Sequence, residues 1–336
     1  MAAPATQQTP AAAGRGPVYD KKTEAATVAR DLADRIRGRV VVITGANGSL
    51  GFETARVLCL QGAKVIAVCR SQANADKVAA QIREKQPDAD VTPMVADLSS
   101  LASVRAFADA FLALNLPLHV LLLNAGIMAC PKAKTQDGFE SQLGINHLAH
   151  FLLTNLLLDK LKATGTAEEP ARVVAVSSAA NYAFPPPEGI LFDDLNADKH
   201  YDQWVRYGMS KLANILFAKE LQRRMDAEGA HVVANALHPG VIRETGLYRH
   251  WDLWNKIQMF SFLRAWTLLT HVRTIEQGAA NEVYCSFDPR AGKGEFHFDC
   301  AINHESLHEA ANNPEIAKRL WTVSEQLVGL APAAAQ

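Results

Sequence analysis

Arg39-Val-Val-Val-Ile-Thr-Gly-Ala-Asn-Gly-Ser-Leu-Gly-Phe-Glu-Thr-Ala-Arg-Val-Leu58 decides the fold. Val40 to Ile43 is a β-branched run of the kind that forms a strand buried on both faces. Gly45, Gly48 and Gly51 interrupt it, and Phe52, Ala55, Leu58 and Cys59 then recur at helical spacing. A strand, a glycine-rich turn and a helix aim free backbone N–H groups and a positive helix end at a phosphate. A Cβ in that turn would hold a pyrophosphate off the backbone, which is the reason for glycine. The turn residues Gly45, Asn47, Gly48, Ser49, Leu50 and Gly51 are therefore candidates for binding a dinucleotide. The plain alternative is an αβ turn with no ligand.

Outward from this stretch, strands alternate with helices. Lys22 to Arg37 is predicted as a helix leading into the first strand. Lys64 to Cys69 is a second buried strand, Asn74 to Lys85 a helix, and Val91 to Ala96 a third strand. Pro93 cannot donate to a ladder, so the third strand belongs at a sheet edge, as in the doubly wound order 3-2-1-4-5-6. Leu101 to Leu112 is a helix and Leu118 to Leu123 a fourth strand, followed by the turn Asn124-Ala125-Gly126. A long helix lies within Gly138 to Leu161, strand five is Arg172 to Ser177, and a second long helix runs from Tyr207 to Glu228. Val232 to Leu237 and Gly294 to Phe298 complete a sheet of about seven strands. The expected fold is α/β: a Rossmann-type, doubly wound parallel sheet with helices on both faces, in a single domain over 22–330. Residues 1–21 and 331–336 read as disordered tails.

The chain has 336 residues, of which 49% are hydrophobic and 21% charged, enough to bury a sizeable core. A formal net charge of -1 gives no reason to expect nucleic acid or an anionic membrane as a partner. Cys59, Cys69, Cys130, Cys285 and Cys300 contain no C-x-x-C pair, so buried thiols in a reducing, cytoplasmic compartment are expected, and no metal site. No apolar run approaches the length of a membrane span. Residues 1–16 carry one arginine, no serine and no acid, which makes them a poor transit peptide. Organelle import and peripheral membrane contact stay open, as does the choice between monomer and homodimer.

Tyr207-Gly-Met-Ser-Lys211 places a tyrosine and a lysine on one helix face, one turn apart. Alone, such a pair is usually surface decoration. Ser177-Ser178, however, follows strand five, at the carboxyl end where open parallel sheets put their ligands. Asn146 lies on the preceding long helix.

TGANGSLGFETA, AVCRS, ADLSSLASV, LLNAGIM, CPKAKTQDGFESQLGINHLAHFLLT, VVAVSS, YGMSKLANILFAKEL, ALHPGV, TIEQGA and a late FDC follow one another from residue 38 to 330. In this order they resemble the short-chain dehydrogenases/reductases. Within that family the chain is similar to the retinol dehydrogenase-like branch, which includes the oxidoreductase domain of the WW-domain oxidoreductase. The resemblance implies a catalytic tetrad of Asn146, Ser178, Tyr207 and Lys211. A free tyrosine titrates near pH 10, and a nearby ammonium favours its phenolate. Bringing it toward neutrality corresponds to about 4 kcal/mol of differential stabilisation. Tyr207 would then exchange a proton with a carbonyl or alcohol oxygen that Ser178 holds. Lys211 would also bind ribose hydroxyls, and Asn146 would hold a water leading to solvent.

The implied cofactor contacts are Asp97 and Leu98 toward the adenine and Asn124, Ala125 and Gly126 along the adenosine. Pro239, Gly240 and Val241 would meet the nicotinamide, with Thr245 a further contact whose spacing is shifted against the family. Where an NAD enzyme of this kind has a carboxylate, this chain has Cys69 followed by Arg70 and Ser71. A cation and a hydroxyl suit a 2′-phosphate, so NADP(H) is the expected cofactor. The alternative for Arg70 is a solvated strand end.

One departure concerns the glycines. The family usually reads T-G-x-x-x-G-x-G, whereas this chain reads T-G-x-x-G-x-x-G, the spacing of the sugar-nucleotide epimerases. An epimerase with tightly held NAD, and a dinucleotide-binding scaffold or redox sensor without turnover, are the rival expectations. Leu247 to Leu269 carries Trp251, Trp254, Met259, Phe260, Phe262, Leu263 and Trp266. It is predicted to form an apolar substrate lid (247–275), against the alternatives of a self-packed lid or a membrane-resting surface. The expected partner is a small lipophilic carbonyl or alcohol.

Overall fold

The computed structural model describes residues 17–242 and 272–330. Its elements in order are α1 (Ala25–Asp31), α2 (Ala33–Ile36), β1 (Val40–Thr44), α3 (Ser49–Leu60), β2 (Lys64–Cys69), α4 (Gln72–Lys85), β3 (Val91–Val95), α5 (Leu101–Ala113) and β4 (Val120–Leu123). There follow α6 (Ser141–Leu143), a π-helical turn (Gly144–Leu148), α7 (Ala149–Thr164), β5 (Ala171–Val176), α8 (Ala180–Ala183), α9 (Gln203–Ala227) and β6 (Val232–His238). Beyond residue 271 come α10 (Ile275–Phe287), β7 (Phe296–Phe298), β8 (Ala301–Ile302) and α11 (Pro314–Leu327).

β1 is buried along its whole length because successive side chains leave it toward two covered faces. Val41 and Ile43 join Ala55 and Leu58 of α3, Ile82 of α4 and Val283 of α10. Val40 and Val42 join Phe111 of α5, Leu153 of α7 and Phe217 of α9. Burying each such aliphatic side chain is worth about 1.5–3 kcal/mol, so the two layers hold β1 in one register. That register pairs Val41 with Val65 of β2 on one side and with Val120 of β4 on the other.

The sheet order is β3-β2-β1-β4-β5-β6-β7-β8. The order expected for the first six strands holds, and Pro93 sits in the edge strand. The sheet has eight strands rather than about seven. The extra one, β8, pairs antiparallel with β7 through Asp299 and Cys300, both left-handed at φ 52° and 57°. Two such residues form the turn that matches sheet twist, but Asp-Cys lacks the glycine that usually advertises it. β7 starts later than expected because Gly294, at φ 69°, has left the strand conformation.

Three helix expectations need correction. The first helix is two short ones, parted at Leu32, with residues 22–24 outside. The helix expected within 138–161 starts at Ser141, where the Glu140 carboxylate accepts from the N–H groups of Gln142 (2.9 Å) and Leu143 (2.8 Å). It then widens into the π turn before α7. The helix expected from Tyr207 begins four residues earlier, because Asp202 caps the N–H groups of Trp204 and Val205. All five cysteines are buried and free. The apolar segment 247–269 and Thr245 lie outside the described residues.

Candidate active site

The strand order reverses between β1 and β4, and a groove of about 660 Å3 crosses the carboxyl ends of the strands there. Gly45, Asn47, Gly48, Ser49 and Leu50 line it. Gly48 forms the N-cap of α3 without a side-chain cap, so the first N–H groups of that helix have the environment that favours an anion. The reason for the glycines differs in part from phosphate access. Gly45 has φ 69°, and a Cβ there would lie 2.9 Å from Ala125 Cα. At Gly51, which is off the groove wall, a Cβ would meet Asn124 Nδ2 at 2.5 Å and the Gly45 carbonyl at 2.6 Å. These two glycines seat the first turn on the turn after β4. Gly48, whose Cβ would meet only the Gly45 carbonyl at 3.3 Å, is the one left for a ligand.

Asn124 reinforces that seat, donating through Nδ2 to the carbonyls of Thr44 (2.7 Å) and Gly45 (3.2 Å). Thr44 Oγ1 accepts from the Ala125 N–H at 3.1 Å. At one end, Arg70, Asp97, Leu98, Asn124, Ala125 and Gly126 all line the groove. Asp97 Oδ1 accepts from the Ser99 N–H (2.9 Å) and hydroxyl (2.8 Å), which fixes the carboxylate in place. Cys69 is buried, and burial pushes its thiol up to about 11, so it supplies no charge where a carboxylate would be. Arg70 is exposed and makes no ion pair among the described residues. Ser71 is the N-cap of α4 without a side-chain cap bond, and it lies beside rather than on the groove wall.

At the other end Ser178, Tyr207 and Lys211 share the wall with Pro239, Gly240 and Val241. Lys211 is 4% exposed, its Nζ donates to the Val176 carbonyl at 2.9 Å, and it lies 5.8 Å from the centre of the Tyr207 ring. Burial lowers its pKa to about 8, which leaves the ammonium dominant at neutrality. The two serines divide their work. Ser177 donates to the Lys211 carbonyl at 2.7 Å and ties α9 to the end of β5. Ser178 is half-buried on the groove, its hydroxyl accepting from the Ala180 N–H at 3.2 Å.

Asn146 sits in the π turn, a distortion often found at functional sites, and is fully buried behind the groove. Its amide donates to Ile127 O (3.0 Å) and Ser210 Oγ (2.9 Å), and its Oδ1 accepts from Ile127 N (2.9 Å). The side chain therefore positions the loop after β4. Gly126 passes between Asn146 and Lys211, where a Cβ would lie 3.2 Å from Oδ1 and 3.4 Å from Nζ.

The sequence pattern did not single out the wall beyond Tyr207. Met128, Ile145, Ala180, Ala183, Phe184 and Trp204 line it. Phe184 and Trp204 are stacked with centroids 5.0 Å apart, and Trp204 meets Tyr207 edge-on at 6.5 Å. The available signal was Trp204, three residues before Tyr207 and so on its helix face. The arrangement sets Tyr207 and the buried Lys211 beside an apolar recess, in the same groove that the glycine turn lines.

Residues 39–188 match the family described as short chain dehydrogenase. The chain is 42% identical over 301 residues to retinol dehydrogenase 12 of Homo sapiens, covering 88% of each chain. It is 38% identical to the chloroplastic short-chain dehydrogenase TIC 32 B of Brassica napus, over 91% of this chain and 94% of that one. Among solved structures, the Pseudomonas aeruginosa RhlG/NADP active-site complex superposes with a TM-score of 0.61 at 26% identity, over 77% of this chain and 94% of that one.

Proposed function

We propose that this chain, which belongs to the short-chain dehydrogenase family, is an NADP(H)-dependent oxidoreductase for a lipophilic aldehyde or ketone, retinal-like or smaller, and its alcohol. The observation that carries this reading is the pairing of Tyr207 and the buried Lys211 at the mouth of an apolar recess. Similarity to retinol dehydrogenase 12 supports the substrate class, and the NADP complex of the RhlG neighbour supports the cofactor. NADP(H) fits the residues present: a groove with a helix end that has no side-chain cap, Gly48 at its turn, and an Arg70 without an ion pair among the described residues in place of a carboxylate.

When bound, NADP(H) supplies the hydride donor or acceptor. In this reading Tyr207 gives a proton to the carbonyl oxygen, or takes one from the alcohol. Ser178 holds the same oxygen. Lys211, fixed by the Val176 carbonyl, keeps a positive charge beside the phenol and reaches toward the ribose. Asn146 holds the loop that brings Gly126 and Ile127 to the groove. A cytoplasmic site of action is supported by five buried free thiols. No helix among the described residues is long and apolar enough to cross a membrane.

NADPH is expected to bind more tightly than NADH by roughly ten- to a hundredfold, the size of one charge-assisted contact. Fluorescence titration with both cofactors measures this, and Arg70→Asp should reverse the order. Equal affinities, or tighter NADH, would remove Arg70 as the selector.

The apolar recess carries a second expectation. Each methylene buried against Met128, Ile145, Phe184 and Trp204 contributes up to about 0.8 kcal/mol. Along a series of straight-chain aldehydes, kcat/KM should climb steeply until the recess is full. Preference for sugars or charged carbonyls, or a flat series, would contradict it, and failure with every carbonyl would favour a scaffold.

A further inference from the structure

β5 ends its pairing with β6 at Val176, and the Ser177 N–H still donates to the Leu237 carbonyl at 2.7 Å. Ser178 then leaves the sheet, so its far side is fixed by other means. Its carbonyl accepts twice from Asn181, from the backbone N–H at 3.0 Å and from Nδ2 at 2.7 Å. Asn181 belongs to α8 and is fully buried, away from the groove wall that its neighbour Ala180 lines. The rest of its amide serves a distant loop. Nδ2 also donates to the Ser306 carbonyl at 3.0 Å, and Oδ1 accepts from the His308 N–H at 3.3 Å. That loop is seated on α9, where Leu307 and Ala310 share a core with Leu212 and Leu216. α9 is also the helix of Tyr207 and Lys211. One buried side chain thus joins Ser178 to a loop that rests on the helix of the other two groups.

We propose that Asn181 is a positioning residue that sets Ser178 in register with Tyr207 and Lys211, with the loop at Ser306 and His308 as its second anchor. The inference rests on the oxidoreductase reading, in which Ser178 holds the reacting oxygen. A hydroxyl does so only if it is kept within about 0.5 Å of its productive place. The Ser178 hydroxyl accepts from the Ala180 N–H at 3.2 Å, which leaves its own proton to donate to a substrate oxygen. That arrangement holds only while the peptide after Ser178 keeps its orientation, and the two bonds from Asn181 keep it. Asparagine suits the task because its amide offers two N–H groups and one acceptor. Here they meet two carbonyls and one N–H. An ionised aspartate would face both carbonyls with acceptors, and an aliphatic side chain would meet none of the three.

The test is a double-mutant cycle with Ser178→Ala, read as the stopped-flow single-turnover rate of the full chain with saturating NADPH and a straight-chain aldehyde. Asn181→Leu keeps the approximate volume and removes all three side-chain bonds. It should slow the step about ten- to a hundredfold, the cost of a misplaced reacting group, while NADPH affinity by fluorescence titration is unchanged. In the Ser178→Ala background it should cost nothing further, because the group it positions is gone. A purely structural asparagine would slow both backgrounds alike, and that result overturns the proposal. A wild-type rate in Asn181→Leu overturns it too. A second pair leaves Asn181 in place and decides the matter if Asn181→Leu does not fold. His308 has φ -61°, which proline adopts, so His308→Pro removes the N–H that Oδ1 accepts, and His308→Ala controls for the lost ring. His308→Pro should be the slower of the two, and only when Ser178 is present. Equal rates in this pair overturn the link to the loop. If wild type reduces no carbonyl, the oxidoreductase reading falls and takes this inference with it. Normal wild-type turnover with uncoupled substitutions overturns the inference alone.

Discussion

Tyr207→Phe is expected to lower kcat by about 10²–10⁴-fold while NADPH binds as before, the range assigned to loss of a positioned acid–base group. The substitution removes one oxygen from a side chain that is 4% exposed, and the ring keeps its edge-on contact with Trp204. Lys211→Ala should damage both turnover and binding. It deletes an ammonium that is hydrogen-bonded to Val176 and faces the groove. The pH dependence has a definite sign. Burial holds the Lys211 pKa down to about 8 in the cofactor-free protein. The ammonium is therefore present below that value and lost as pH rises through it. For carbonyl reduction, kcat/KM for NADPH, which reports the cofactor-free enzyme, should fall on that alkaline limb. Stopped-flow single turnovers at saturating NADPH separate chemistry from binding. Retention of more than roughly a tenth of wild-type rate by Tyr207→Phe would place the proton donor on another group.

Much of the fold is legible in the sequence, for physical reasons that also mark where that legibility ends. β1, β2, β4, β5 and β6 are legible because each is a nearly continuous apolar run, the signature of strands covered on both faces, whereas β3 is only part-buried. Pro93 announced its edge by the N–H it lacks. Tyr207 and Lys211 were legible as a pair because helical spacing is local. Asn146 is a candidate through the family resemblance alone, because its side-chain partners, Ile127 and Ser210, lie 19 and 64 residues away and leave no local pattern. The π turn around it has no local sequence pattern either. Room for phosphate is one reason for glycine at 45 and 51, but the closest obstacles to a Cβ there are Ala125, Asn124 and the Gly45 carbonyl. Both needs select glycine, so composition alone could not separate them. β8 is two exposed residues after a turn without glycine or asparagine, and such a strand has neither apolar alternation nor turn chemistry to reveal it.

Glu282 was also beyond reach, because helical spacing places it on α10 but says nothing of what it meets. It is fully buried and accepts a hydrogen bond of 2.5 Å from Thr54 Oγ1 on α3. Its other oxygen, Oε1, has no hydrogen-bond partner among the described residues. Burial raises its pKa to about 7, against the smaller opposing pull of the Thr54 hydroxyl. The unfolded chain ionises the same carboxyl near pH 4.3. Because the folded value is the higher one, the protonated acid favours the fold. That contribution is complete below about pH 4 and is lost as pH rises through about 7. Glu282→Gln keeps the shape of the neutral acid and removes the titration. Its stability advantage over wild type should therefore widen by about 2–3 kcal/mol between pH 5 and pH 8. Thermal unfolding at the two pH values reads this as a gap that grows by roughly 3–5 °C. The growth belongs to Glu282 only if it disappears in Thr54→Val/Glu282→Gln compared with Thr54→Val/Glu282→Leu, neither of which can titrate at that position. Parallel pH curves for wild type and Glu282→Gln would show that the buried carboxyl does not take up its proton on folding.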